Sequence, residues 1–394
     1  MLNLDFLQYN PKVLSAIKQF GEVKKLKYLM LSTYPSKGSR NSGDDLIGKS
    51  LIKLLKKLKG NDIQIDTAYI ADANLTDNLK FNYSAILAPA LRPTALGEVV
   101  APKFRNDYVK IALDHKIPFY TIGAGWSQYP GTVSQSKILK LNPTEIGTFK
   151  KLFNQKMGTN KISCRDIYTE NVLKGNGISC YGTTGDLGLF DTDFLGLPFK
   201  YPNKIKNIAV SMPHNKHHLS KAYEIAMNLK KRYSCNVKLV FHGYFGKLGS
   251  LLPKDWLDNQ IQIIDLAGGA EKLNYYDKID LHVGFRLHAH IWFLRTRKPS
   301  LLIAEDGRGT GHLTTINGLG YSAAPNFVFS LAEFLPDKIN EWRKYLSEIP
   351  PSDDVYNMLD SEINSGFDQT KNSLKIIDHL WKEKMKPFLN SIPE

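Results

Sequence analysis

Arg286 and His288 follow directly on a short apolar run that ends at Gly284. Of all residues in the chain, they are the best suited to handle an anion. They fall in the stretch 279–295, which reads as a strand, a glycine turn and a helix carrying both side chains in its first turn. A second strand over 300–304 runs into a polar loop over 305–312, and that loop carries Arg308. Strand, helix and strand of these lengths make a right-handed βαβ unit, so both strands end on one edge of a sheet. That edge is where open α/β sheets take ligands. Arg286, His288 and Arg308 should therefore gather over a helix N-terminus whose free N–H groups already favour negative charge. Two fixed cations and one imidazole suit a small, multiply charged anion. The competing view has the arginines paired with surface carboxylates and the histidine packed, but a basic pair at a helix start opposes the helix dipole unless an anion offsets it. His290 faces elsewhere on the helix and reads as structural.

Three further segments carry candidate chemistry. Residues 163–173 repeat the design, with Arg165 and Asp166 between a strand end and a short helix. Asp166 suits a helix cap, which leaves Arg165 for a ligand. Cys164 is a conceivable nucleophile beside Arg165, but strand alternation points it the other way, into the core. Residues 38–48 form a polar, glycine-containing strand-to-helix loop in the first βα unit. There Asn41, Asp44 or Asp45 can position or deprotonate an acceptor hydroxyl, or Asp44 or Asp45 can simply cap the helix. The loop has neither the phosphate-loop lysine nor the dinucleotide glycine spacing. The stretch 123–127, with Gly123, Gly125 and Ser127, follows another strand and can bring backbone N–H groups to a ligand. Asp191-Thr-Asp193 has the form of a glycosyltransferase metal motif but falls in a linker. His214 to His218 lacks the partners of a metal site and reads as a solvated loop.

The elements that position these residues alternate between strand and helix. Strands are expected over 28–33, 63–68, 84–88 and 118–122, with a helix from about Asp44 that buries Ile47, Leu51, Leu54, Leu55 and Leu58 and turns its lysines outward. A Gly- and Pro-rich stretch over 186–203 reads as a linker. The alternation resumes with strands over 207–211, 237–241 and 261–264 and a helix over 219–232. The expected class is α/β, with two Rossmann-like domains facing across a cleft. The N-terminal one spans 1–190, the C-terminal one spans 204–336, and helices over 337–394 pack back on the core.

With 394 residues and a 42% hydrophobic content, the chain is long enough for two substantial cores. Three cysteines without metal spacing, and no apolar run long enough to span a bilayer, suggest a cytoplasmic protein. The formal charge of +14 favours acidic partners. Its lysines are scattered, apart from clusters at 24–27 and 53–59, and no nucleic-acid motif is present. An anionic substrate, or one held at an anionic membrane surface, is the expected partner.

Residues 41–48, the Cys-Arg-Asp at 164–166 and above all Gly-Phe-Arg-Leu-His-Ala at 284–289 resemble the polysaccharide pyruvyltransferases, with matching blocks from about residue 28 to 312. The resemblance implies a GT-B-like fold and transfer of pyruvate from phosphoenolpyruvate, as donor substrate and without a further cofactor or metal. The product is a cyclic ketal on two sugar hydroxyls. It implies donor binding by Arg165, Arg286 and His288. For the chemistry, His288 is the candidate general acid, with a pKa expected near neutrality, and Asp44 or Asp45 is the candidate base. The acceptor side would hold Asn41, Asp44, Gly123, Gly125 and Ser127. A lysine usual in the family is replaced here by Arg308, which keeps the charge and changes its shape. The acceptor class implied is a lipid-linked, nucleotide-linked or polymeric sugar. Two rivals remain: a GT-B glycosyltransferase using a nucleotide sugar, and a basic protein that only binds acidic glycans.

Overall fold

The computed structural model describes residues 26–32, 34, 40–69, 82–93, 102–126, 132–154, 161–202, 204–243, 252, 261–322 and 352–394. Thr33, Gly38, Ser39, Ser127, Lys24, Lys25 and the tail over 337–351 lie outside the described residues.

Two six-stranded parallel sheets form the frame. The first contains β1 (Lys27–Ser32), β2 (Gln64–Tyr69), β3 (Ala85–Pro89), β4 (Phe119–Ala124), β5 (Lys161–Cys164) and β6 (Gly182–Thr183), in the order 2-1-3-4-5-6. The second contains β7 (Asn207–Ser211), β8 (Asn236–Phe241), β9 (Gln262–Asp265), β10 (Leu281–Gly284), β11 (Ser300–Ala304) and β12 (Gly320–Ser322), in the order 12-11-10-7-8-9. Each order reverses once, between β1 and β3 and between β7 and β10. At such a reversal the flanking connections leave on opposite faces, and a crevice opens beyond the carboxyl ends of the strands. This is the expected α/β class, two Rossmann-like units in a GT-B-like arrangement. Strands β3 and β4 are buried along their whole length, as strands covered on both faces must be.

The helices are α1 (Ser42–Lys59), α2 (Pro102–Asp114), α3 (Val133–Ser136), α4 (Pro143–Phe153), α5 (Ile167–Gly175), α6 (Leu219–Tyr233), α7 (Leu287–Arg295), α8 (Gly307–Ile316), α9 (Ser352–Asn364), α10 (Asp368–Leu380) and α11 (Lys386–Asn390). Helix α1 buries Ile47, Leu51, Leu54 and Leu55, while Leu58 packs at the margin. It starts two residues earlier than its pattern suggests, because Asn41 is the cap and accepts from Gly43 N at 3.1 Å. Neither Asp44 nor Asp45 caps it. The expected polar loop over 305–312 is also corrected, since it is helical from Gly307. Asp306 makes this possible by accepting from the N–H groups of Arg308 and Gly309, which are orphan donors of a first turn.

The described part of the expected linker, residues 186–202, joins the sheets and is firmly pinned. Leu187, Leu189 and Phe190 enter the core. Asp191 accepts from the buried Arg295 and from Lys53, so the Asp-x-Asp motif is spent on ion pairs with this chain. Helix α10 starts beside the second sheet, where Gln369 Nε2 donates to Gly318 O at 3.2 Å. The C-terminal residues then reach the first sheet, where Tyr28 OH donates to Pro393 O at 2.8 Å and Tyr120 OH to Ser391 O at 2.9 Å. Among the described residues no helix is long and apolar enough to cross a membrane.

Removing one member of a buried ion pair leaves the other uncompensated. Asp191→Ala strands Arg295 with only Ser50 Oγ and two carbonyls. It is expected to lower unfolding free energy by about 3 kcal/mol, read as a shifted urea midpoint; an unshifted midpoint would show that the pair does not brace the interface.

Candidate functional site

Strand β10 ends at Gly284, whose φ of +143° and close approach to the Ser211 backbone exclude a side chain. The chain then turns along β7. Phe285 N donates to Ser211 O at 3.0 Å and Arg286 N to Ser211 Oγ at 2.9 Å. Arg286 thereby becomes the residue preceding α7, and no side chain caps that helix. Its leading N–H groups are left for a ligand.

Arg286, His288 and Arg308 line one cleft, as expected, together with His214 and His242 of the second sheet and Asn41 of the first. The N-terminus of α1 meets that of α7 here, and a Cβ on Gly43 would collide with the His288 ring. Arg165 joins from the first sheet. Its backbone N–H donates to Ala124 O at 2.7 Å, and its Nε lies 2.8 Å from Asp186 Oδ2. That carboxylate oxygen is also 3.8 Å from His288 Nε2, and its twin accepts from Gly188 N at 2.7 Å.

A fourth guanidinium was not singled out in the sequence. Arg92 follows β3, at the reversal point of the first sheet, and interacts electrostatically with Arg308, Asp44, Asp306 and Arg165. Burial, then Arg308, pulls its pKa down to about 10. The switch-point rule is the signal that finds it.

The cations are unequally neutralised. Arg308 folds onto Asp306 with Nε at 3.1 Å and Nη2 at 2.5 Å from Oδ2, and its pKa is raised. Arg286 is different. Burial, and then Arg308 against the pull of Glu305, lowers it to about 10, and its buried Nη2 has no hydrogen-bond partner among the described residues. Burial, helped by Arg165, Arg308 and Arg286 and opposed by Asp186, drives His288 down to about 4. The free imidazole is therefore neutral at pH 7, and the expectation of a near-neutral pKa does not hold.

The two neighbouring carboxylates of α1 part company. Asp44 interacts with Arg92, Arg308, Arg165 and Arg286, and burial still raises its pKa. Asp45 turns away, accepts from Ala270 N at 2.6 Å and pairs with Lys49 at 2.7 Å. It ties α1 to the second sheet and is not in the cleft.

Gly123 and Gly125 do not present N–H groups to a ligand. Those N–H groups donate to Ser163 Oγ at 3.0 Å and Leu91 O at 2.9 Å. Gly125 instead leaves room for the Arg165 side chain, and Gly123 backs on Gly185 O with φ +66°. Cys164 is fully buried and its pKa raised, by burial first and then by Cys180, so it belongs to the core. The segment around His214 is not a solvated loop throughout. His214 N and Asn215 N donate to Glu305 at 2.8 and 3.1 Å, and His218 is buried.

The family pattern described as polysaccharide pyruvyl transferase matches residues 41–307. No curated protein matches the sequence. Among solved structures, the chain is similar to a UDP-GlcNAc 2-epimerase from Methanocaldococcus jannaschii in complex with UDP-GlcNAc and UDP (12% identity, 91% of this chain and 99% of that one, TM-score 0.45). It is also similar to a ugt transferase from Siraitia grosvenorii in complex with UDP (9%, 93% and 98%, 0.47).

Five buried imidazoles, His242, His282, His288, His290 and His312, are all lowered, chiefly by burial. In the unfolded chain each takes a proton near pH 6.5, while the native protein refuses it until far lower pH. The unfolded state thus binds more protons, and stability present above about pH 6.5 is lost as pH falls. Asp166, raised to about 6 by burial, and Asp44 act in the opposite sense but are outnumbered. Unfolding free energy should fall between pH 7 and 5, by roughly 1.4 kcal/mol per pH unit for each such imidazole. A urea midpoint that is flat across this range would contradict the burial of neutral imidazoles.

Proposed function

The chain belongs to the polysaccharide pyruvyl transferase family, and from that premise we propose that it is a ketal pyruvyltransferase using phosphoenolpyruvate. It would transfer pyruvate to two hydroxyls of a sugar in a surface polysaccharide or its precursor and release phosphate. The observation that carries this reading is the buried Arg286, with an unpartnered Nη2, at an uncapped helix N-terminus among three more guanidinium groups.

Phosphoenolpyruvate brings a phosphate and a carboxylate, and arginines hold either one bidentately. Arg286 and the N-terminus of α7 suit the phosphate, and Arg165 and Arg92, which come from the first sheet, are the proposed partners of the remaining charge. Protonation of C3 makes C2 electrophilic. One sugar hydroxyl attacks C2, the C2–O bond to phosphate breaks, and the second hydroxyl closes the ring. Two C–O bonds form. Of the two hydroxyl protons, one balances the proton added to C3 and one leaves with phosphate. The arginines stabilise the departing charge.

His288 is the proposed acid, and its low pKa in the free site sets a condition. Burial keeps the imidazole neutral, helped by the arginines; the donor's negative charge would offset the arginines and so raise its pKa. The acid therefore forms when there is a donor to protonate. Asp44, half-buried and with its pKa raised by desolvation, is the proposed base for the acceptor hydroxyl. Asn41, which lines the same cleft as Arg286 and His288, is the proposed contact for the acceptor. The basic charge of the chain favours an acidic acceptor or one held at an anionic membrane.

Calorimetric titration is expected to show saturable phosphoenolpyruvate binding that Arg286→Ala abolishes. Repeating it at pH 7 in buffers of different ionisation enthalpy should reveal net proton uptake, which His288→Ala removes. His288→Ala should keep donor binding and lose turnover by roughly 10²–10⁴-fold. Binding of uridine diphosphate without phosphoenolpyruvate would instead assign the site to nucleotide-sugar chemistry.

A further inference from the structure

The second sheet holds a buried polar chain that this reaction does not use directly. Ser211 at the end of β7, His282 in β10, Ser300 at the start of β11 and His290 in α7 are all fully buried. Arg286 N donates to Ser211 Oγ at 2.9 Å. Ser211 Oγ lies 2.8 Å from His282 Nε2, and His282 Nδ1 lies 2.7 Å from Ser300 Oγ. The same hydroxyl is 2.7 Å from His290 Nδ1. Beyond it, His290 meets His312 edge-on with ring centroids 5.3 Å apart. Four buried polar side chains would be costly unless they satisfy one another.

The proton order follows from the donors and acceptors. The Arg286 N–H can only donate, so Ser211 Oγ accepts it. The Ser211 hydroxyl proton then goes to His282 Nε2, its other contact among the described residues. A neutral His282 with a bare Nε2 carries its proton on Nδ1 and donates to Ser300 Oγ. Ser300 passes its own proton to His290 Nδ1, which makes His290 the Nε2–H tautomer. The reverse order would put two donors on Ser211 Oγ and leave its hydroxyl proton without an acceptor, beside Arg286. In the order given, the unmatched donor is His290 Nε2–H at the far end, which has no hydrogen-bond partner among the described residues and lies against the His312 ring. Bonds aligned in one direction polarise and strengthen one another. Burial keeps His282 neutral by lowering it to about 3, so the order is not scrambled by protonation near pH 7.

We propose that Ser211, His282, Ser300 and His290 are a positioning chain for the anion site. They fix the backbone of Arg286, and with it the N-terminus of α7, where the donor's phosphate binds. The inference rests on the donor reading above for its substrate but not for its geometry. The absence of a Cβ at Gly284 is what lets Ser211 come close enough. A small shift of such a clamp disturbs the bound geometry that reaction requires.

Two measurements test the chain. In full-length protein labelled with 15N-histidine, long-range 1H–15N correlations should show His282 as the Nδ1–H tautomer and His290 as Nε2–H. The opposite tautomer at either ring overturns the proton order. Titration with inorganic phosphate and with phosphoenolpyruvate should show both binding about tenfold more weakly to Ser211→Ala. Ser300→Ala, which leaves the Arg286 contact intact, should weaken both by about threefold. Unchanged affinities in both variants, whether or not their thermal midpoints fall, would reduce the chain to core structure. If Ser211→Ala fails to fold, Ser300→Ala and the tautomers still decide. A wild type that binds phosphate but not phosphoenolpyruvate removes the donor reading and leaves the positioning chain standing; one that binds neither overturns both.

Discussion

Repulsion among Arg92, Arg165, Arg286 and Arg308 is the constraint around which the rest of this molecule is arranged. Like charges gathered in a partly desolvated cleft, beside the positive ends of two helices, are unfavourable in the absence of an anion. The fold tolerates them by dividing them between two rigid sheets and by giving two of them resident carboxylates, Asp186 for Arg165 and Asp306 for Arg308. Those carboxylates are themselves fixed by backbone N–H groups, of Gly188 and of the first turn of α8. The remaining deficit of negative charge is what a dianionic or trianionic substrate would supply.

The histidines answer to burial first and to this constraint second. Burial holds His288 and its buried neighbours neutral, and the guanidinium groups, beside which an imidazolium would add a fifth positive charge, push His288 the same way. Neutral rings can be knitted into the hydroxyl chain behind Arg286, which protonated rings would break. The glycines belong to the same economy of space. Gly43 admits the His288 ring, Gly125 admits Arg165, and Gly284 lets two strands close on Ser211.

Much of this was legible in the sequence, because period and position carry it. The strands other than β6 and β12, together with α1, α6 and α7 and the meeting of Arg286, His288 and Arg308, follow from apolar spacing and from the rule that parallel strands end on one edge. What was not legible depends on partners distant in the chain. Asp44 and Asp45 are adjacent on one helix, and only the position of Ala270 across the interface decides which of them faces the arginines. The N–H groups of Gly123 and Gly125 are spoken for by Ser163 and Leu91, which no local pattern shows. The stretch 186–203 lacks periodicity because its contacts are made singly, through Asp191, Phe190 and Phe194, rather than by a regular face. Arg92 escaped because a lone arginine in a loop has no motif. Its significance comes from the strand order.

Arg308 shows how much the shape of a charge matters here. The related family usually places a lysine at this position, and an ammonium group would stand as a point charge in the cleft. The guanidinium instead lies along Asp306, which at the same time caps α8. One carboxylate thus serves both a helix end and a cation, and a lysine could not match that fork with two parallel bonds. Arg308 is consequently the cation with the least charge to spare. Its remaining influence is indirect: it lowers the pKa of Arg286, Arg92 and His288 together. On the proposed reading, the groups most exposed to that influence, Arg286 on one sheet and Arg92 on the other, are those that would gain most from an anion placed between them. A donor with acidic groups at both ends could satisfy both walls at once and so draw the halves of the cleft onto the sugar.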